Sequence, residues 1–330
     1  EWNIEGYTKL GFRLPKVSGF VGLRVAGEDR KGSLGGGLGD FFRSGTELLT
    51  SASLRYAPAR DHELSLTHSS SYTRPSYRDL LGYTSVASAA FLRKGNSGLR
   101  TAYRRGLSLN YTYMHAAQLE LSYSDTEDPI VEAIPPMYGG GITLRRYNLD
   151  YSRTLRALLV LPLPLVSQKK FSWLALTILA AQRQWDAGHI GMTDYSAALN
   201  TQFVQHRHSF SLPSDWPVDL GVTHHSGVLY ELYRIQRQWW IYASVSKRMG
   251  NLRATLSARD PFNTNIARGS YNPEVNGLAF ERNWHSPRLE LTISYSWGKK
   301  SVKAQDTRAR YDDLKRLTTG ASEGMNTPAQ

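Results

Sequence analysis

Residues 288–297 read Arg288-Leu289-Glu290-Leu291-Thr292-Ile293-Ser294-Tyr295-Ser296-Trp297, and their pattern is the strongest indication of the fold. Its odd positions are all apolar or aromatic, and its even positions are all polar or charged. Because side chains alternate between the two faces of a β-strand, this pattern predicts a strand with one apolar face. The apolar stripe ends in two amphipathic aromatics, Tyr295 and Trp297, and is followed by Gly298, Lys299 and Lys300. Such an ending is typical of a strand that leaves a lipid bilayer.

Strands of soluble β-sandwiches alternate as well, so the prediction depends on repetition. The same alternation recurs along the chain, for example in residues 52–56, 107–113, 119–123, 241–246 and 252–259. It predicts about thirteen strands, many of ten residues or more, and no convincing amphipathic helix. Soluble strands average about five or six residues, and ordinary domains contain about one-third helix. The pattern is therefore not that of an ordinary globular domain.

The predicted connections alternate in length. Tight turns are expected at residues 15–17, 58–61, 114–117, 213–217 and 249–251, and residues 162–170 join two of the longer strands. The other connections are mostly longer and polar. Short turns on one side and long loops on the other are typical of an outer-membrane barrel. The sequence thus predicts an all-β, transmembrane antiparallel β-barrel; a soluble sandwich or lipocalin-like barrel explains neither strand length nor loop asymmetry.

Composition agrees with this interpretation. The 330 residues are 41% hydrophobic and 21% charged, which excludes wholesale disorder. The amphipathic aromatics, with 19 Tyr and 8 Trp, outnumber the purely apolar Phe, of which there are 10. Amphipathic aromatics suit a membrane–water interface. The chain has no cysteine, which excludes disulfides, thiolate catalysis and cysteine zinc sites. Its longest apolar run, residues 157–166, is too short for a membrane helix, which needs about 20 residues.

The net charge of +12 raises nucleic acid as a partner. The basic residues are scattered along strands and loops, however, and form no stripe or nucleic-acid-binding motif. We therefore expect no nucleic acid. Outer-membrane lipid, lipopolysaccharide or an acidic ligand accounts better for the charge.

The sequence divides into a predicted barrel at residues 1–298 and a polar tail at residues 299–330, which we expect to be disordered and periplasmic. The chain begins with Glu1 and not with Met. We expect either a signal peptide that has been removed or a longer N-terminal part.

No catalytic or cofactor-binding set is visible in the sequence. His206 and His208 share a face two residues apart, and the hairpin near Pro213 would bring His224 or His225 across from them. These histidines are candidates for a metal site that faces the lumen. The alternative is that they belong to a hydrated polar lining of the lumen.

A second cation candidate is the acidic group Asp125, Glu127 and Asp128, which would bind calcium if it is not a solvated loop. The lumen face of the last strands includes Arg253, Arg259, Arg288 and Glu290. We expect hydrogen-bonded networks there more than a substrate site.

Several aromatic residues are expected at the membrane interface. Trp239 and Trp240 are predicted to join an interfacial girdle, with a ligand-stacking platform as the alternative. The other predicted girdle residues are Tyr111, Tyr113, Tyr295 and Trp297.

Four segments resemble, in the correct order, motifs of the outer-membrane barrel proteins of Bacteroidota related to TonB-dependent receptors. Residues 71–80 resemble their Tyr-Ser…Arg-Pro-Ser-Tyr…Leu segment through Arg74 and Pro75. Residues 94–99 are similar to their Gly-Asn-Pro-Asn-Leu loop through Gly95 and Asn96, with Ser97 and Gly98 replacing Pro and Asn. Residues 257–264 resemble their Asp-Ile-Phe-Asn-Thr segment, and the matching positions are Asp260, Phe262 and Asn263. Residues 294–300 are similar to their closing Tyr-Arg-Phe-Gly-Lys, with Trp for Phe.

The resemblance implies a 22-stranded barrel with a plugged lumen, of which this sequence would be the C-terminal thirteen or so strands. If the last strand descends to the periplasm, counting back thirteen strands puts the N-terminus on the outer side. We therefore expect missing strands, a plug and a TonB-contacting segment upstream, and TonB is expected as a partner only if that plug exists.

The leading functional hypothesis is a receptor-type barrel in the bacterial outer membrane that takes up a bulky nutrient through its plugged lumen. Residues 27–42, 73–100 and 260–287 would grip the ligand. The alternative is a non-transporting scaffold barrel in an outer-membrane assembly, with a surface lipoprotein or other outer-membrane subunits as partners. No residues support an outer-membrane enzyme.

Overall fold

The computed structural model describes residues 2–32, 41–82, 84–86, 91–134, 142–168, 170–271, 278–283 and 287–297. The predicted tail at residues 299–330 lies outside the described residues. Within the described part, no helix is both long and apolar enough to cross a membrane.

The described chain is almost entirely β-structure with one short helix. In chain order the elements are β1 (Trp2–Arg13), β2 (Val17–Gly32), β3 (Phe41–Ala59), β4 (His62–Thr73), α1 (Tyr77–Leu80), β5 (Thr84–Val86), β6 (Phe91–Lys94), β7 (Ala102–Tyr113), β8 (Ala117–Glu127), β9 (Ile130–Ala133), β10 (Ile142–Ser167), β11 (Ser172–Ile190), β12 (Thr193–Leu212), β13 (Trp216–His225), β14 (Val228–Tyr230), β15 (Tyr233–Ile235), β16 (Gln238–Met249), β17 (Leu252–Arg259), β18 (Ile266–Tyr271), β19 (Ala279–Asn283) and β20 (Arg288–Tyr295).

Thirteen of these strands form one continuous sheet. Its order is β1-β2-β3-β4-β7-β8-β10-β11-β12-β13-β16-β17-β20, so neighbours in the sheet are also successive long strands of the chain. All twelve pairings along this path are antiparallel. Among the described residues, β1 and β20 each pair on one side only. The predicted antiparallel sheet of about thirteen strands is confirmed.

The register of the sheet keeps like side chains in line across many strands. One row runs Leu54, Leu66, Leu109, Leu121, Ala157 and Ala181 on successive strands. The next row runs Ser53, Thr67, Ser108, Ser122, Arg156, Gln182 and Thr201. Because directly opposed residues share a face, the sheet has an apolar face, which carries the first row, and a polar face, which carries the second.

The last strands continue both faces. Leu291 lies opposite Leu256 on the apolar face, and Glu290 lies opposite Ser257 on the polar face. Leu291 is 62% exposed, and large apolar side chains are exposed along the whole apolar face. A contiguous apolar surface of this extent needs a cover, and lipid is the cover that the alternation predicts.

Strand β10 corrects one expectation about the connections. Residues 162–170 were expected to be a linker, but β10 continues through Pro162 and Pro164, which pair with Leu176 and Leu174 of β11. Proline lacks an N–H donor and is tolerated where a strand has an unpaired side. Past Val160, β10 pairs with β11 and no longer with β8, so the missing donors cost no ladder bond on that side.

The two ends of the sheet differ as predicted. At one end, which we call the turn end, successive strands are joined by residues 14–16, 60–61, 114–116, 168–171, 213–215 and 250–251. At the other, which we call the loop end, the connections are longer and contain the remaining short elements, except for the two-residue link between β11 and β12. Long loops gather at one end because antiparallel neighbours reverse direction at every connection.

A charge on the apolar face tests whether that face contacts lipid. We expect Leu256→Arg to destabilise the protein by about 2–4 kcal/mol, because the guanidinium would enter hydrocarbon. Urea unfolding in lipid vesicles measures the loss. The matched control is Ser257→Arg, one residue along on the polar face, where Glu290 is opposite. Equal losses in the two variants would contradict the assignment of faces.

Candidate functional site

The long connections fold into an ordered layer at the loop end. We call this the loop layer and define it as α1, β5, β6, β9 and a separate sheet of order β14-β15-β18-β19. Strand β6 pairs in parallel with the first residues of β10, and β9 pairs antiparallel with the following residues of β10. The loop layer is thus built directly onto the longest strand of the main sheet, the 26-residue β10.

The largest buried cluster of the described chain lies in the loop layer and the strand ends beneath it. Its members come from β9 to β12 and from the connections on either side of β16 and β17: Val131, Ala133, Ile134, Leu149, Ile190, Tyr195, Leu232 and Tyr271. Tyr271 is fully buried, and its hydroxyl accepts a hydrogen bond from the Ile134 N–H at 2.7 Å. Burying one large apolar side chain contributes about 1.5–3 kcal/mol, so this cluster stabilises connections that would otherwise be mobile.

A smaller cluster holds the connection between β4 and β7. Leu80 of α1 and Leu99 are fully buried against Phe41. Ser76 caps α1, because its hydroxyl accepts from the Asp79 N–H at 3.2 Å. Packing from β3 therefore fixes the position of α1.

Arg74 and Pro75 anchor this connection to β2. The Arg74 Nε lies 2.8 Å from Glu28 Oε1, and both side chains are largely buried. Arg30 donates to the Pro75 carbonyl at 3.1 Å and lies over the Tyr77 ring at 4.8 Å from its centroid. A buried carboxylate needs a positive partner, so this pair fixes where the connection leaves the sheet.

Gly95 and Asn96 attach the same connection to β10. A Cβ at Gly95 would lie 1.6 Å from the Leu81 carbonyl oxygen, which only glycine avoids. The Asn96 amide donates to the Arg146 carbonyl at 2.8 Å, and its oxygen accepts from Arg145 at 3.2 Å. These motif residues build the loop and leave little for a ligand to bind.

Asp260 and Asn263 form a tight turn after β17. The buried Asp260 carboxylate accepts from the Thr264 N–H at 2.8 Å and from the Asn265 N–H at 3.1 Å. Asp260 and Asn263 both have positive φ, at 45° and 50°, which Asp and Asn tolerate better than most residues. Phe262, on the same turn, is 67% exposed.

Of the three segments predicted to grip a ligand, the first is partly strand. Its two ends pair as β2 and β3, and residues 33–40 lie outside the described residues. The second and third segments carry most of the loop layer. The structure thus brings all three together: Phe41 of the first packs against Leu80 and Leu99 of the second, and the second and third meet through β10 and the buried cluster.

Charged side chains meet inside the loop layer. Arg93 of β6 forms an ion pair with Glu132 of β9, and Arg146 lies 3.4 Å from Asp79. The Glu132 N–H donates to Glu231 Oε2 at 2.9 Å. Burial raises the pKa of Glu231 above its usual value, and the Glu132 hydrogen bond and the Arg146 charge offset this only in part.

A cavity of about 640 Å³ lies between β2 and β3 of the main sheet and the residues that join β6 to β7. It is bounded by Glu28, Phe41, Arg43, Glu47, Ser97 and Thr101, among others. Arg43 donates to the Ser97 carbonyl at 2.9 Å, and the Tyr103 hydroxyl donates to Glu47. The volume is in the range of small-molecule sites, and the mixed lining of carboxylates, a guanidinium and an aromatic ring suits a polar ligand with an apolar part.

The predicted histidine candidates are not brought together. His206 and His208 lie on the apolar face, opposite Val222 and Leu220, whereas His225 lies on the polar face, opposite Phe203. Their ring nitrogens have separate partners: Thr177 for His206, Trp173 for His208, and Ser226 and Gln238 for His225. The prediction of a lumen site is corrected for His206 and His208, because the register turns both rings away from the polar face.

The acidic candidates are each paired with an arginine. Asp125 lies 3.3 Å from Arg153, Glu127 lies 3.3 Å from Arg105, and Asp128 lies 2.5 Å from Arg100. In the part of the chain that the structure describes, no group of three or more His, Asp or Glu residues is placed to hold a metal ion.

The predicted girdle aromatics divide between the faces. Trp239 lies on the apolar face opposite His224, but Trp240 lies on the polar face, with its ring 6.2 Å from that of His225. The expectation for Trp240 is therefore corrected, because adjacent residues of a strand point to opposite faces. Tyr111 and Tyr113 lie on the apolar face near the turn end, and Tyr295 and Trp297 are exposed there at the end of β20.

The predicted lumen residues of the last strands do lie on the polar face. Arg259 is opposite Arg288, and Arg253 is opposite Ser294. Glu290 lies 3.8 Å from Arg288 and accepts from Thr292 at 3.3 Å. These contacts form the kind of local network that was expected.

The predicted ligand-gripping segments contain Glu28, Phe41 and Ser97 of the cavity, but sequence reasoning missed Arg43 and Glu47 and the pairing of the loop-layer charges. Glu47 and Tyr103 are 56 residues apart, and Glu132 and Glu231 are 99 apart. The sequence does show polar residues at the points where strands end and long connections begin. That pattern indicates a candidate functional residue, but it does not predict which distant residue will lie beside it.

Comparison with known proteins agrees with the architecture. The model of the outer membrane protein beta-barrel family matches residues 1–295. No curated protein matches the sequence. Similar solved structures include the FrpB iron transporter from Neisseria meningitidis, at 12% identity and a TM-score of 0.60, covering 89% of this chain and 44% of that one. A mutant of the ferric enterobactin receptor PfeA from Pseudomonas aeruginosa is similar at 13% identity and a TM-score of 0.54, covering 89% of this chain and 53% of that one. The chain thus spans about half the length of these structures.

Gly95→Ala tests the attachment of the connection between β4 and β7. We expect a loss of about 1–3 kcal/mol and faster proteolysis within residues 74–101, because the methyl group would overlap the Leu81 carbonyl. Limited trypsin digestion of the folded protein measures the change. Gly98→Ala is the control, since its nearest neighbour is the Asn96 side-chain oxygen at 3.3 Å. Equal digestion of the two variants would contradict the assigned role.

Glu231 makes the loop layer sensitive to pH. A carboxyl whose pKa is raised on folding stabilises the layer fully below its usual pKa of 4.5, and this contribution is lost as pH rises through the raised pKa. We expect Glu231→Gln, which keeps an acceptor for the Glu132 N–H, to protect residues 226–237 better than wild type at neutral pH.

The free energy of local opening at residues 226–237 should differ between Glu231→Gln and wild type by on the order of 1 kcal/mol at neutral pH, and this difference should vanish towards low pH. Hydrogen–deuterium exchange of wild type and variant at each pH measures it. Glu231→Ala, which loses the acceptor, is the control and should reduce protection throughout. Lower protection of Glu231→Gln at neutral pH would mean that attraction to Arg146 outweighs the cost of burial.

Proposed function

We propose a receptor function for this chain, which belongs to the outer membrane protein beta-barrel family and therefore lies in the bacterial outer membrane. In this proposal the chain binds a bulky nutrient at the loop end and contributes to its uptake. TonB is a partner only of a protein that also contains a plug. Iron and ferric enterobactin, the substrates in the names of the similar solved structures, belong to those proteins and do not specify the ligand here.

The observation that carries the proposal is the cavity between the main sheet and the connection that joins β4 to β7. Its lining includes Glu28 and Glu47 of the main sheet and Ser97 of the connection between β4 and β7. In barrels of this class the long loops face the outside of the cell. A ligand arriving from outside would therefore meet this cavity before it met the part of the polar face nearer the turn end.

The same site would suit a polar compound that carries an anionic group and an apolar part. Arg43 offers a guanidinium, and the carboxylates of Glu28 and Glu47 are each already held, by Arg74 and Tyr103 respectively. Held carboxylates are fixed in position, which lowers the entropic cost of binding. We infer a polar ligand with an anionic group for Arg43 and an apolar part for Phe41.

A scaffold function is the second candidate, and the buried cluster of the loop layer favours it. Loops with their own core, including the fully buried Tyr271 and Leu232, offer a fixed surface to another subunit. In that case a surface lipoprotein or another outer-membrane subunit would be the partner.

One experiment separates the two candidates. A strain that lacks the gene is complemented with wild type, Arg43→Gln or Arg253→Gln, and depletion of nutrients from a defined medium is followed by mass spectrometry. The receptor proposal expects one compound class to be depleted at least tenfold more slowly with Arg43→Gln, at equal barrel abundance. Arg253→Gln, at the turn end, should behave as wild type.

If deletion leaves all depletion rates unchanged while a second outer-membrane protein co-purifies with the chain, the scaffold function replaces the receptor function. If both arginine variants slow depletion equally, the cavity is not the binding site.

A further inference from the structure

The apolar face carries a band of arginines and aromatic rings near the loop end. One row across β7, β8, β10 and β11 runs Arg105, Asp125, Arg153 and Trp185. The next row, further from the loop end, runs Leu107, Tyr123, Leu155, Arg183 and Asn200. The rings of Tyr123 and Trp185 lie 6.4 Å apart, which agrees with their placement on one face. Charges here adjoin the leucine rows that face lipid.

The charges of the band are unevenly balanced. Arg153 and Arg105 have Asp125 and Glu127 within 3.3 Å. Arg183, by contrast, has no acidic group within ion-pair distance among the residues that the structure describes, and it is exposed between Leu155 and Asn200. A lone guanidinium on a lipid-facing surface is costly unless it lies at headgroup depth and meets an anion.

An apolar depression lies directly below Arg183. Ala157 and Ala181 are opposite each other on the apolar face, and the larger Leu159, Leu179 and Val204 form the next row. The small side chains leave a depression of about 290 Å³ that also touches Leu119 and Gln202. An alkyl chain fits such a surface, because the missing side-chain volume is apolar on nearly all sides.

We propose that this surface binds a phosphorylated lipid of the outer leaflet. Its phosphate would pair with Arg183, its headgroup would lie against Trp185 and Tyr123, and one acyl chain would occupy the depression over Ala157 and Ala181. Two independent features support one occupant: a cation with no acidic partner among the described residues and, on its hydrocarbon side, an apolar depression. The loop end faces the outer leaflet in this class of barrel, so the lipid class is that of the outer leaflet.

The test measures lipid binding to the full chain purified in detergent. Native mass spectrometry counts bound bis-phosphorylated lipid A added in mixed micelles, with zwitterionic phosphatidylethanolamine and inorganic phosphate as separate arms. We expect Arg183→Gln to weaken lipid A binding about fivefold, as one basic residue near an anionic lipid surface contributes. Ala181→Leu, which fills the depression, should weaken it while leaving the phosphate arm unchanged.

Two matched controls keep the test decisive. Arg156→Gln removes an arginine of β10 from the polar face, and Ala258→Leu enlarges an alanine on the apolar face outside the depression. Both should bind lipid A as wild type does, and a heat-modifiable gel shift checks that each variant is folded. Equal weakening by Arg156→Gln, unchanged binding in Arg183→Gln and Ala181→Leu, or displacement of the lipid by inorganic phosphate at matched concentration would overturn the proposal.

Discussion

The antiparallel hydrogen-bond ladder must be complete for long strands to lie in a bilayer. In lipid no water can satisfy a backbone N–H or C=O, so each long strand must pair fully with its neighbours. A one-residue slip would exchange the two faces of a strand, which would put Glu290 into hydrocarbon and Leu291 into the polar face. Strand register therefore decides which side chains face lipid. The rows of like residues that run unbroken from β3 to β12 show that the register keeps apolar side chains on one face.

The loop layer obeys a different rule. Water surrounds the loop end, so its backbone groups need no closed ladder, and its order comes from a buried cluster around Tyr271 and Leu149. Residues of the motifs that resemble those of the TonB-related barrels anchor the connection between β4 and β7. Arg74 pairs with Glu28 of β2, and Asn96 forms a hydrogen bond with β10. These contacts set the shape of the cavity, because it lies between the main sheet and a connection that they hold in place.

Charge is distributed according to the same division between lipid and water. On the polar face and in the loop layer, arginines meet carboxylates, as Arg93 meets Glu132. On the apolar face, the arginines among the described residues lie in the band near the loop end, with Arg183 at its hydrocarbon side. The net charge of +12 is thus spread over sites with different partners, and a single basic surface is not needed to explain it.

Alternation alone determined the strands, their two faces and the two kinds of connection, because a period of two is a local property of the backbone. It also determined that Trp239 and Trp240 must separate, although their composition suggested a shared interface. The three-dimensional packing was needed to show which distant residues meet: Glu47 meets Tyr103 beside the cavity, and Arg183 lies above the alanine depression with no acidic partner among the described residues. Such meetings depend on register summed over several strands and on loop packing, and neither is written in any local stretch of sequence.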